Sequence, residues 1–109
     1  MLEYVYRYNV KYEKAAAFRD WLVANDQALH DHQTPGWTYL GAWFSVRGFG
    51  QFQAESRFQL EGYEASGSGP GDDETQRYAR ELAETYIDWT TKPMAALYRT
   101  AHDVRIAPR

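Results

Sequence analysis

The chain has 109 residues, of which 44% are hydrophobic and 17% aromatic, and a formal net charge of -3 at pH 7, which together predict one domain with a modest core. Its 12 Lys and Arg residues are scattered singly, which argues against nucleic acid as a partner because binding to a phosphate backbone needs clustered positive charge. The absence of cysteine excludes disulfides and thiolate chemistry and fits a reducing compartment.

The first predicted element is a strand from Leu2 to Tyr12, along which side chains alternate between two rows. Glu3 and Arg7 interrupt this segment, so it has neither the apolar core of a signal peptide nor the length of a membrane span. We therefore expect a cytoplasmic protein with no membrane partner. One row holds Leu2, Tyr4, Tyr6, Tyr8, Val10 and Tyr12, and the other holds Glu3, Val5, Arg7, Asn9 and Lys11.

A helix is predicted from Glu13 to His32, where apolar residues recur at helical spacing. Asn25 lies near the centre of the apolar stripe, and the helix ends before Pro35, which cannot continue it. His30 and His32 would lie about 200° apart around this helix, since each residue turns the helix by about 100°. We therefore predict no metal site at the two histidines.

The next segment, residues 36–60, is predicted as two strands joined by a turn at residues 47–50. The first strand has large apolar groups in both of its rows, which predicts that both faces are covered. The second strand has one apolar row, with Phe52 and Phe58, and one polar row. On the first strand the rows are Trp37, Tyr39, Gly41 and Trp43 against Thr38, Leu40, Ala42, Phe44 and Val46.

The remaining segments are a loop, a helix, a turn and a strand. Residues 61–72 contain the sequence SGSGPG, which predicts a flexible loop. Asp73 is the predicted N-cap of a helix that runs to Trp89. We expect a short helical turn from Pro93 with Met94 and Leu97, and then a strand over residues 99–106.

This order of elements predicts an α+β fold, the ferredoxin-like βαββαβ sandwich. Its four-stranded antiparallel sheet carries two helices on one face, and the fold occupies residues 1–106, with 107–109 as a C-terminal tail. The opposite face of the sheet is then bare. We expect a homodimer that covers this face with the sheet of a second copy, which gives an α/β barrel.

The sequences YVYRYNVK at positions 4–11 and YLGAWFSVRGFGQF at 39–52 resemble the NIPSNAP-type proteins of the dimeric α/β-barrel superfamily. The loop SGSGPG departs from that pattern. The resemblance implies two facing sheets, and its superfamily includes cofactor-independent monooxygenases, lactone isomerases and haem-degrading or haem-binding proteins. Haem-degrading relatives use a histidine on the second helix, and residues 73–89 contain none, so we expect no haem and no other cofactor.

A candidate ligand pocket follows from Asn25, whose amide must find a hydrogen-bond partner inside an apolar stripe. His102 shares a row with Val104 and Ile106, which predicts that it faces the helices beside Asn25 and the hydroxyls of Tyr6 and Tyr8. Such a pocket suits a flat aromatic ligand, with His102 as the candidate catalytic base. The alternative is that these groups satisfy each other in a filled core.

The polar row of Arg7, Gln53, Glu55 and Arg57 is predicted to lie on the bare face of the sheet. It either lines a polar interior between subunits or forms cross-strand pairs that fix register and dimer geometry.

The sequence thus supports two functions. One is a homodimeric small-molecule-binding protein, with cofactor-independent monooxygenase or isomerase activity on a flat aromatic substrate as its enzymatic form. The other is a non-catalytic dimer that binds a metabolite or a protein and has a packed core.

Overall fold

A computed structural model describes residues 2–46 and 50–99 of the chain. A 3-10 turn at Tyr63–Gly67 precedes the helix Asp73–Glu81, and a π-helical turn at Leu82–Tyr86 follows that helix. The strands are β1 (Leu2–Val10), β2 (Trp37–Phe44), β3 (Ala54–Leu60), β4 (Ile87–Asp88) and β5 (Met94–Arg99), and the helices are α1 (Ala15–Ala24), α2 (Asp26–Asp31) and α3 (Asp73–Glu81).

The sheet has the strand order β2-β3-β1-β5, and every pair in it is antiparallel. The two-residue strand β4 pairs with the end of β1, where Val10 faces Ile87. The first strand therefore lies between the third strand and the last long strand. This is the order of the ferredoxin-like sandwich, and the predicted fold class is confirmed.

The core lies between the sheet and the helices. Tyr8 and Phe18 are fully buried there, and the ring of Phe18 lies 6.0 Å from that of Tyr8 and 5.2 Å from that of Tyr86. Phe44 of β2 meets Phe18 edge to face at 5.8 Å. Burying a side chain of this size stabilises the fold by about 1.5–3 kcal/mol. These contacts identify the helix-covered face of the sheet.

A β-bulge in β2 changes the predicted rows of that strand. Tyr39 pairs with Phe58 and Gly41 pairs with Arg57, so Leu40 is an extra residue without a partner. Beyond the bulge the alternation is reversed relative to the predicted rows. The expectation that Ala42 and Phe44 share a face with Thr38 was therefore wrong, and their side lies toward the helices.

The predicted single helix over residues 13–32 is two helices. The chain breaks at Asn25, whose backbone N–H and side-chain Nδ2 both donate to the carbonyl of Trp21, at 3.0 and 2.8 Å.

The N-cap of α3 is Asp72 and not Asp73. Its Oδ1 accepts hydrogen bonds from the backbone N–H and the hydroxyl of Thr75, at 2.8 and 2.9 Å.

The predicted turn at Pro93 was also wrong, because Met94–Arg99 is the strand β5. It pairs with β1 from Leu2↔Arg99 to Arg7↔Met94. Residues 100–109, which include His102, most of the predicted last strand and the tail, lie outside the described residues. So do residues 47–49 of the predicted hairpin turn.

The segment predicted as a flexible loop, residues 61–72, is partly ordered by the sheet. The indole Nε1 of Trp37 donates to the carbonyl of Ala65 at 2.6 Å, and Ala65 is buried. Gly36 has a φ of 84°, and a Cβ placed on it would lie 2.9 Å from the Cβ of Ala65. This close approach requires glycine at position 36.

Candidate functional site

A cavity of about 520 Å³ lies between the sheet and the helices. We call it the aromatic cavity. Its volume is in the range of pockets that bind small organic molecules, about 300–1,000 Å³. β1, β2, β3, α1 and α3 all contribute to its lining, in which aromatic side chains are frequent, among them Tyr6, Tyr8, Phe18, Trp21, Tyr39 and Tyr78.

Trp21 connects α1 to α3 in the wall of this cavity. Its ring is stacked with Phe18 at 6.0 Å and 22°, and it meets Tyr78 edge to face at 6.2 Å. The indole Nε1 donates to Oε2 of Glu81 at 2.6 Å, while Oε1 of Glu81 accepts from Arg77 at 3.0 Å. A carboxylate thus fixes the position of a flat apolar surface.

Two hydroxyls meet in the buried part of the lining. The Tyr8 hydroxyl and Ser56 Oγ are 2.8 Å apart, Tyr8 is fully buried and Ser56 is 5% exposed. Burial raises the pKa of Tyr8 well above the usual tyrosine range. Burial, together with the charge of Asp26, raises the pKa of Tyr39 to about 12. Both phenols are therefore neutral hydrogen-bond donors near pH 7.

The more exposed part of the lining lies where the end of α2 meets the start of α3. We call it the rim, which consists of His32, Gln33, Thr34, Pro70, Thr75 and Gln76. His32 Nδ1 lies 3.1 Å from Oδ2 of Asp72 and so joins the two helices. The backbone N–H of Thr75, and then His32, lower the pKa of Asp72 to about 2. The Asp72 carboxylate is therefore charged at neutral pH.

Tyr6 and Tyr8, which the sequence predicted as pocket residues, both line the aromatic cavity. Asn25 does not line it, because its amide is used at the break between α1 and α2. His102 lies outside the described residues. The sequence does not identify Ser56 as a cavity residue. A serine in an apolar row of a strand looks the same whether it contacts a ligand or packs in the core.

The face of the sheet opposite the helices is called here the open face. Arg57 is central to it: its Nε lies 3.1 Å from Oε2 of Glu55 and 4.0 Å from Oε1 of Glu3, and its guanidinium carbon lies 4.6 Å from the ring centre of Trp43. Glu55 raises the pKa of Arg57 through their hydrogen bond. Arg7 lies 4.0 Å from Glu55.

Gln53, the other member of the predicted polar row, precedes β3 and connects it to the end of β1. Its backbone N–H donates to Oδ1 of Asn9 at 2.8 Å, and its Oε1 accepts from the N–H of Val10 at 3.0 Å. Gln53 is therefore bonded to β1. It takes no part in the ion pairs that Glu55 forms with Arg57 and Arg7.

Large apolar side chains are exposed on the open face. Trp43 is 43% exposed, Met94 58% and Tyr98 45%. Their strand pairings place them on the same side as Arg57 and Arg7, because residues directly opposite in a sheet share a face. The exposed apolar surface on this side therefore includes residues of β5 and Trp43 of β2.

Within residues 2–46 and 50–99, no three His, Asp or Glu side chains are grouped so that they could hold a metal ion. None of the helices in the same part of the chain has the length and apolar character needed to cross a lipid bilayer.

Solved structures from three bacteria have a similar fold. An uncharacterized NIPSNAP domain protein from Burkholderia xenovorans is 13% identical, covers 93% of this chain and 95% of its own, and gives a TM-score of 0.66. A dimeric protein of unknown function with a ferredoxin-like fold from Bacteroides fragilis is 6% identical, with coverages of 91% and 95% and a TM-score of 0.59. A protein assigned to the antibiotic biosynthesis monooxygenases, from Deinococcus radiodurans, is 17% identical, with coverages of 92% and 92% and a TM-score of 0.58.

No protein-family model matches the sequence, and the comparison with curated proteins found no relative. The structural likeness nevertheless covers more than nine tenths of the chain in each of the three cases. The chain therefore has the ferredoxin-like fold, and its predicted resemblance to NIPSNAP-type proteins is confirmed at the level of the fold.

Proposed function

We propose that this protein is a homodimer that binds a flat aromatic small molecule in the aromatic cavity. The observation that supports this proposal is the cavity itself, with its volume of about 520 Å³ and its aromatic lining. Apolar walls with a few hydroxyls are typical of sites that enclose an organic ligand. A packed core, the alternative expected from the sequence, would not leave a space of this size.

The shape preference of the cavity follows from the aromatic side chains in its lining, among them the partly buried ring of Trp21, which stacks on Phe18. An aromatic ligand gains from offset or edge-to-face contact with such rings, by about 0.5–1.5 kcal/mol beyond the burial of its area. A saturated ligand of the same size gains only the burial. Affinity for flat rings over their saturated counterparts is therefore the expected property.

Calorimetric titration with naphthalene and with its saturated counterpart decalin tests this preference. We expect naphthalene to bind more tightly. In the variant Leu22→Trp the added indole fills part of the cavity lining, and naphthalene binding should be lost. The matched control is Val23→Trp on the same helix, since Val23 is 75% exposed. Equal affinity for both probes, or binding that is unchanged in Leu22→Trp, contradicts the proposal.

Dimerisation through the open face is supported by the exposure of Trp43, Met94 and Tyr98 on one side of the sheet. A single chain leaves this surface in water, whereas a second copy facing it would bury it. The dimeric protein from Bacteroides fragilis shows that a chain of similar fold forms a dimer. The partner that we propose is therefore a second copy of this chain.

Light scattering measures the assembly directly. We expect a mass of twice the 12.7 kDa of one chain at micromolar concentration. Tyr98→Glu places a charge in the proposed interface and should give the single-chain mass. Tyr63→Glu is the matched control, because Tyr63 is 62% exposed and belongs to the 3-10 turn. A single-chain mass for the unmodified protein contradicts the dimer.

Monooxygenase activity without a cofactor is a second candidate, supported by the likeness to the Deinococcus radiodurans protein. The test reaction is oxidation of 1-naphthol by O₂ to 1,4-naphthoquinone and water, in which the substrate supplies the electrons. We propose His102 as the base that takes the phenolic proton. Oxygen uptake that requires the protein and falls in His102→Ala supports this activity, and uptake at the rate of buffer alone contradicts it.

A further inference from the structure

The pair formed by Tyr8 and Ser56 has one more hydrogen than it uses. Each hydroxyl has one O–H donor, and the two oxygens, 2.8 Å apart, share a single hydrogen bond. One O–H is therefore always left over, whichever residue donates. Among residues 2–46 and 50–99, neither oxygen has another hydrogen-bond partner.

The unused O–H group lies in the buried lining of the aromatic cavity. Tyr8 is fully buried and Ser56 is 95% buried, and both line the aromatic cavity. A buried donor without an acceptor costs free energy, and strand β3 gives Ser56 no acceptor besides Tyr8 in the described part of the chain. An acceptor atom brought into the cavity by a ligand would remove that cost.

We propose that Ser56 is a specificity-determining residue that donates a hydrogen bond to an acceptor oxygen of the ligand, with Tyr8 positioning it from behind. This inference rests on the proposed ligand function of the aromatic cavity and names its ligand class: flat aromatic compounds that carry a carbonyl or quinone oxygen. Ser56 rather than Tyr8 makes the contact, because only Ser56 keeps an exposed fraction.

Tyr8 suits the positioning role because it remains protonated. Burial raises the pKa of Tyr8 above the usual tyrosine range, so the phenol keeps its hydrogen near neutral pH. In the arrangement that we propose, the Tyr8 O–H donates to Ser56 Oγ, 2.8 Å away, and the serine hydrogen is free to point into the cavity. Phe18, packed 6.0 Å from the Tyr8 ring, holds that ring in place.

Two probes of equal shape test the proposal. In 2-acetylnaphthalene a carbonyl oxygen replaces the terminal CH₂ group of 2-isopropenylnaphthalene, so only the first has a strong acceptor. The unmodified protein should bind the ketone more tightly, by about fivefold, which is the usual worth of one hydrogen bond. The hydrocarbon measures the cavity alone and therefore tests the proposed function separately.

The double variant Tyr8→Phe with Ser56→Ala is the decisive protein, because removing both partners leaves no orphaned hydroxyl and is close to neutral for folding. We expect it to bind both probes equally. Ser56→Ala alone should lose the preference as well. The matched controls are Ser45→Ala and Tyr63→Phe, which change the same groups outside the cavity lining and should keep the preference.

The quantity to compare is the ratio of the two affinities. A merely structural role of the hydroxyl pair would change both affinities alike and leave their ratio intact. Equal binding of the two probes by the unmodified protein, or a preference that persists in the double variant, overturns the role of Ser56 and leaves the aromatic cavity as a ligand site. Binding of neither probe overturns both proposals.

Discussion

Trp21 joins α1 to α3, and replacing it with phenylalanine should destabilise the protein. The substitution removes the indole N–H and two ring carbons. The N–H donates to Glu81 at 2.6 Å, and the ring contacts Phe18, Tyr78 and Tyr86. Trp21→Phe therefore removes one charge-assisted hydrogen bond and part of a packed surface.

The magnitude follows from these two losses. A hydrogen bond to a charged group contributes about 1.5–3 kcal/mol, and the lower end applies because the Glu81 side chain is 37% exposed. Two carbons at about 0.8 kcal/mol each, halved for a half-buried ring, add about 1 kcal/mol. The expected loss is about 2.5 kcal/mol, or about 10 °C in Tm for a domain of this size.

Urea unfolding followed by circular dichroism measures this loss, at one fixed protein concentration because dissociation of a dimer would otherwise contribute. Trp89→Phe is the matched control: its indole donates to the carbonyl of Ala83 at 2.7 Å, and Trp89 is 54% exposed. The control should cost about 0.5–1 kcal/mol. Equal losses in the two variants would refute the reasoning that burial and charge make the Trp21 bond strong.

Three further substitutions test separate parts of the structure. Phe18→Ala should cost about 3–5 kcal/mol of unfolding free energy, because it empties a fully buried site, and urea unfolding that shows less than 1 kcal/mol would contradict the described core. Gly36→Ala should lower stability by about 1–3 kcal/mol, since position 36 has a φ of 84° and no space for a Cβ, whereas Gly69→Ala, at a φ of 94° with nothing within 4 Å, should cost less in the same assay. Asp72→Ala should lower Tm at neutral pH. The pKa of Asp72 falls from 3.8 to about 2 on folding, so its stabilising contribution is complete above about pH 4 and disappears as pH falls toward 2; a Tm difference from the unmodified protein that stays constant over this range would contradict the role of the carboxylate.

The fold was predictable because its strands have strong alternation. The five large residues in one row of β1 and the polar row of β3 fix which sides face the helices. The sequence predictions were wrong where a single residue interrupted the alternation of a strand or the periodicity of a helix. Leu40 shifts the alternation of β2 without any Gly or Pro signal at its own position, and Asn25 interrupts a helix that its flanking residues would continue. Pro93 indicated a helical turn, but pairing with β1 makes the following segment a strand.

The site was only partly predictable, because a cavity is a property of packing and not of sequence pattern. Tyr6 and Tyr8 lie on the helix-facing row of β1 and line the aromatic cavity, and their contact with a ligand stays a prediction. Asn25 has the same burial signal as a ligand-binding amide, but its hydrogen bond goes to the neighbouring helical turn. The partner of Tyr8 is Ser56, 48 positions away, and only the strand register brings the two together.

The bulge at Leu40 also determines where the chain tolerates a change in length. Deleting Leu40 would join Tyr39 to Gly41, which already face opposite sides of the sheet, and every later side chain would keep its side. A deletion of Ala42, beyond the bulge, would instead send Phe44 to the open face and Trp43 into the helix-facing layer. When this chain is aligned with relatives of the same fold, a one-residue gap in the second strand therefore belongs at position 40.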